Sequence, residues 1–185
     1  MIFFEDPAEF DAWLHENGSS ETELWIKYAK KGSGLKTITY DEALDIALCH
    51  GWIDGLVRSI DETYYSQRWT PRKPRSRWSK RNCAKVEDLI AAGKMLPAGL
   101  AEIEKAKADG RWEAAYAGPA TIEVPDDLKE ALKSNPAART AFEGLNSQNR
   151  YAILLRIHDA KRAETRQRRI AQFVEMLAEG RKLYA

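Results

Sequence analysis

Asp54 and Arg58 in "WIDGLVRS", Arg68 in "SQRWT", and Arg72 and Arg75 in "PRKPRSRWSK" put a carboxylate and a series of guanidiniums into one short stretch. A carboxylate can hold a guanidinium in a fixed pose and leave some of its donors free, and an arginine so held is a ligand for phosphate or carboxylate. Trp78 and Ser79 follow directly. The indole either staples the loop to the core or offers a stacking face, and a serine that caps a helix marks a start whose free amides and dipole favour negative charge. The chemistry expected is recognition of a small anionic ligand by Asp54, Arg58, Arg68, Arg72, Arg75, Trp78 and Ser79. The catalytic alternative is a hydrolase or transferase with Asp54 as general base, but no catalytic residue is assigned.

These residues meet only if "WIDGLVRSI" and "YYSQRWT" form a hairpin. A three-residue loop at 61–63 sets Arg58 opposite Ser66, Leu56 opposite Arg68 and Asp54 opposite Thr70. Alternation then predicts Trp52, Asp54, Leu56, Arg58, Ser66 and Arg68 on one face, with Ile53, Val57, Tyr65 and Trp69 on a core face. Asp54 and Arg68 become diagonal neighbours, either as a cross-strand ion pair or as an aimed anion ligand. Gly51 and Gly55 beside "WID" mark a bend or a close approach. Pro71 and Pro74 keep the following arginines extended ahead of a helix that starts at Ser79.

The flanking elements announce themselves through their caps. "DPAEFDAWLHENG" is a short helix with Asp6 as cap, Pro7 in the first turn and Gly18 at its end. "ELWIKYAKK" alternates as a strand. In "TYDEALDIALCHG" Thr39 and Glu42 form a capping box, and Gly51 stops the helix. Beyond Ser79 the pattern is helical, with breaks at Gly93, Pro97, Gly110 and a loop over 111–125. Proline introduces each of two further short helices, and the last apolar stripe changes register near 161–163, which predicts two helices with a bend. The fold class expected is α+β: a small antiparallel sheet flanked by helices in the N-terminal half, residues 1–95, followed by a helical part over 96–185 packed on it as one compact unit.

The 185 residues carry a net charge of +1, unevenly spread. Residues 1–26 hold seven acids and no Lys or Arg, whereas 66–85 hold eight Lys or Arg and no acid. Residues 145–169 hold seven basic residues against two acids. The asymmetry fits internal complementarity or a basic binding surface. A nucleic-acid binder using 66–85 and the C-terminal helices, with Trp69 or Trp78 stacking on bases, is therefore the second class of function. A sequence pI of 7.7 is low for a dedicated one.

No apolar run is long enough to span a bilayer, and the start lacks a basic region followed by an apolar core, so no membrane insertion and a cytoplasmic location are expected. Cys49 and Cys83 read as small core thiols. Metal binding would use Cys49, His50 and Asp54 of "CHGWID", but that spacing is no familiar ligand set, and His15 and His158 default to packing roles. Neither a metal nor a cofactor is expected. Phosphate-cradling and nucleophile-elbow motifs do not occur, which leans away from an enzyme.

"EALDIALCHGWIDG", "RWTPRKPRSRWSKRN", "PDDLKEALKSNPAARTAFEGL" and "AKRAETRQRRIAQFVEMLAEGR" together resemble the bacterial YdeI/OmpD-associated family, also labelled bacteriocin-protection proteins. The residues that carry the resemblance are Gly51, Trp52, Asp54 and Gly55, then Arg68, Pro71, Arg72, Pro74, Arg75, Trp78, Ser79, Lys80 and Asn82, with Thr165, Arg166 and Arg169 near the end. The resemblance implies an N-terminal α+β part, a C-terminal helical part and a role in bacteriocin protection or envelope stress, with a protein partner among the expectations. It supplies no catalytic residues.

Overall fold

A computed structural model describes residues 1–185, which divide into two compact units, Met1–Ala115 and Tyr116–Ala185. The first contains β1 (Ile2–Phe3), α1 (Pro7–Asn17), β2 (Leu24–Ala29), α2 (Tyr40–Cys49), β3 (Trp52–Ser59), β4 (Tyr64–Pro71), α3 (Lys80–Ala91) and α4 (Pro97–Ala108). The fold is α+β, with sheet order β1-β2-β4-β3. β2, β4 and β3 run antiparallel, and the two-residue β1 adds a parallel edge beside β2 that makes the sheet mixed.

Local chemistry sets the helix starts. Asp6 accepts from the amides of Ala8 and Glu9 ahead of Pro7. Thr39 and Glu42 close a reciprocal capping box on α2, and Ser79 accepts from the amide of Asn82 at the start of α3. α1, α2, α3 and α4 bury Phe10, Leu14, Leu44, Leu48, Val86 and Ile103 in one core with Leu24, Ile26, Tyr28, Trp52 and Trp69 of the sheet. The end of α2 is tightly fixed. Gly51 has φ +75°, and a Cβ on Gly99 of α4 would lie 2.4 Å from the Cys49 carbonyl oxygen, so only glycine admits this approach.

The sheet register corrects the expected faces. Arg58 does pair with Ser66, and Ser59 with Tyr65, but the ladder shifts between Asp54 and Val57, so that Asp54 lies opposite Trp69 and Ile53 opposite Thr70. One extra residue on β3, a bulge at Gly55 and Leu56, is the cause. Trp52 and Asp54 therefore share the helix-covered face with Gln67 and Trp69, while Arg58, Ser66 and Arg68 lie on the other. Val57, expected in the core, is exposed, as is Leu56 beside it.

The second unit is helical: α5 (Asp126–Lys133), α6 (Pro136–Glu143), α7 (Ser147–His158) and α8 (Ala163–Ala178). The break between α7 and α8 falls at 159–162, beside the expected bend. Leu128, Phe142, Ile153, Leu154, Ile157, Phe173 and Leu177 form its core. Arg166 grips Asp127 with two parallel bonds, Nε to Oδ2 at 2.5 Å and Nη2 to Oδ1 at 2.9 Å, and donates through Nη1 to the Ile157 carbonyl. No helix of either unit is long and apolar enough to cross a membrane.

Candidate functional site

Arg72 and Trp78 are the two site residues that the fold brings into direct contact. β4 ends at Pro71, and the amide of Arg72 donates to the Gly51 carbonyl at 2.9 Å, which ties the chain beyond the strand to the end of α2. The next four residues close a turn: Ser76 N donates to the Lys73 carbonyl at 2.8 Å, and Lys73 N donates to Ser76 Oγ at 2.9 Å. The chain then returns to Trp78, one residue before the α3 cap. This places the Arg72 guanidinium 3.5 Å from the centroid of the Trp78 ring.

Both side chains are buried, Arg72 at 7% and Trp78 at 2% exposure. Arg72 Nη1 donates to the Arg77 carbonyl at 3.2 Å. Its Nε and Nη2, and the indole Nε1 of Trp78, are buried with no hydrogen-bond partner. Burial lowers the guanidinium pKa to about 10, against the pull of Glu102 in the opposite direction. Asp54 acts on Arg72 only through space. The site is thus a buried cation with unused donors and no carboxylate bonded to it, its desolvation offset in part by the indole face.

The remaining predicted residues are dispersed. Ser79 caps α3 next to the stack. Arg75 is exposed in the turn. Arg58 lies over the Trp25 ring at 4.5 Å on the opposite sheet face. Arg68 is also on that face, its Nε 2.6 Å from Glu23 Oε2, so Asp54 does not aim it. The bulge separates the two by turning Asp54 toward the helices, where its Oδ2 accepts from Tyr40 Oη at 3.2 Å and Gln67 Nε2 at 3.3 Å. Burial, reinforced by the charge of Asp54, raises the Tyr40 pKa well above its ordinary value, so the phenol stays protonated and donates.

The sequence marks the aromatics of the loop over 111–125 as anchors, Trp112 among them, but not Arg111 or the partner that Trp112 meets. Arg111 Nη1 donates to the Ser76 carbonyl at 2.9 Å while its Nε pairs with Asp109, and Trp112 packs on Trp78 with ring centroids 5.0 Å apart. These residues lie in a segment with no periodic pattern, remote from the loop in sequence. The paired tryptophans in "RWE" and "RWSK" were the only signal.

A mixed sheet backed by helices, with a basic loop folded inward at the start of α3, defines the first unit as an α+β module, joined in the chain to an all-helical one. The chain belongs to the family described as Domain of unknown function (DUF8412), whose model matches residues 2–102, and over 121–180 it carries the domain described as Bacteriocin-protection, YdeI or OmpD-Associated. "GWIDG" and the basic loop fall within the first match, and "PDDLKEALKSN" and the α8 segment within the second. No curated protein and no solved structure matches the chain.

Proposed function

We propose that the protein binds a small anion at Arg72 and Trp78 and acts as a cytoplasmic binding protein in bacteriocin protection or stress, not as an enzyme. One observation carries the binding: a guanidinium that is more than nine-tenths buried, with Nε and Nη2 unpartnered and no carboxylate bonded to it. A buried charge left uncompensated is costly, and a carboxylate or phosphate oxygen lying in the guanidinium plane offsets that cost. The stacked indole fixes the plane and contributes a third unused donor. These nitrogens are closed to solvent, so ligand binding requires the loop around them to open. The description of the domain matched at 121–180 supports the protective role, and two free thiols are compatible with a reducing compartment.

The test is a thermal-shift titration with phosphate, sulfate and a series of small carboxylates on the parent and Arg72→Met. A rise in melting temperature with the parent alone supports the site, and an equal rise in both removes it. A nucleic-acid reading gains less from the geometry. Trp69 and Trp78, the indoles expected to stack on bases, are 0% and 2% exposed, and on the open sheet face Trp25 and Tyr64 already carry Arg58 and Lys27 over their rings, at 4.5 and 3.6 Å. Oligonucleotide binding that weakens steeply with salt would favour it instead.

A further inference from the structure

We propose that Asp11, His15 and His50 form a binding site for a divalent transition-metal ion of the zinc type. Asp11 and His15 stand four residues apart on one face of α1, and His50 caps the end of α2. Asp11 Oδ1 is 2.8 Å from His50 Nε2, and Asp11 Oδ2 is 3.7 Å from His15 Nε2. The two imidazoles meet edge to face with centroids 4.7 Å apart. One ligand atom from each residue can be chosen so that all lie within 4.8 Å of one another. A zinc ion held at about 2.0–2.1 Å by tetrahedral ligands sets those ligands roughly 3.3 Å apart, so small side-chain rotations complete the set.

The donor types are specific. Two imidazoles and a carboxylate suit zinc and its neighbours, whereas magnesium and calcium prefer oxygen ligands. The elements bearing them are rigid. Phe10 and Leu14 anchor α1 in the core, the Trp52 indole donates to the Gly18 carbonyl at 3.2 Å just past α1, and Gly51 and Gly99 lock the end of α2. The His50 side chain is 8% exposed, while Asp11 and His15 are 46% and 58% exposed. The ion would therefore rest on a buried imidazole and keep an open position toward solvent, as in sites that bind an exchangeable water or ligand. The site does not depend on the anion reading at Arg72, which uses other residues.

The experiment is calorimetric titration of the tag-free full chain with zinc chloride, paired with the visible absorption of the cobalt-loaded protein. One ion per chain and a tetrahedral cobalt spectrum are expected. Asp11→Asn and His15→Ala change exposed side chains and keep the fold, as circular dichroism will verify. Each should weaken binding by more than the roughly 10- to 100-fold that loss of an outer-shell partner causes. His158→Ala, in the second unit, should leave it unchanged. No zinc uptake by the parent, or uptake that survives either substitution in α1, overturns the proposal.

Discussion

The guanidinium of Arg72 and the indole of Trp78 are stacked at 3.5 Å, and this contact closes the chain between the end of β4 and the start of α3. The stack holds three buried donors without partners, so its stability and its ligand response are expected to separate. Arg72→Met keeps the packing on the ring and removes the buried charge. In anion-free buffer it should be at least as stable as the parent, because an apolar replacement of a buried ion is often neutral or stabilising. Urea unfolding followed by tryptophan fluorescence is suited to this, since all six tryptophans lie in the first unit. A loss of several kcal/mol would mean that Arg72 is chiefly a structural clamp.

The Arg68 and Glu23 pair should contribute little. Their side chains are 35% and 47% exposed, and surface ion pairs contribute about 0–1 kcal/mol. Arg68→Ala and Glu23→Ala should each shift the urea midpoint slightly, and the double variant by no more than their sum. Anion binding by Arg68→Ala should match the parent.

Gly51→Ala should destabilise by roughly 1 kcal/mol or more, since its φ of +75° disfavours any side chain and the added Cβ would meet the Ala98 carbonyl oxygen at 3.0 Å. The same substitution should weaken zinc uptake, because it displaces the residue that follows His50. Unchanged stability would show that the turn relaxes without strain.

Acid should unsettle the second unit through Asp127. Hydrogen bonds from Arg166 hold its carboxyl below the ordinary aspartate range. A carboxyl whose pKa falls on folding adds stability above its unfolded value of about 3.9, and that contribution is lost as pH drops through the lower folded value. Melting temperature followed by circular dichroism should fall as pH is lowered from about 5 toward 2. Asp127→Asn should show a shallower dependence, and an identical slope would remove Asp127 as a cause.

The helix starts were readable because capping is local: Asp6 with Pro7, Thr39 with Glu42, and Ser79 satisfy amides within three residues of themselves. The hairpin was readable only near its turn. Arg58 opposite Ser66 followed from loop length, but one extra residue at Gly55 and Leu56 exchanged the faces beyond it, and glycine marks such bulges without dictating them. The burial of Arg72 was hidden because a basic, proline-flanked loop looks solvated. The approach of His50 to Asp11 depends on α1 docking against α2, which no short window of residues contains.

The bulge also bears on the edge of the sheet. β3 is an edge strand, and Leu56, Val57 and Ile60 along or just beyond it are 60%, 59% and 43% exposed, a surface on which a second copy could add strand to strand. The extra residue breaks the repeat of amides along that edge and Arg58 places a charge on it, while β1 at the other edge offers only two residues. The irregularity that parts Asp54 from Arg68 thus also denies the sheet a straight edge onto which another strand could add.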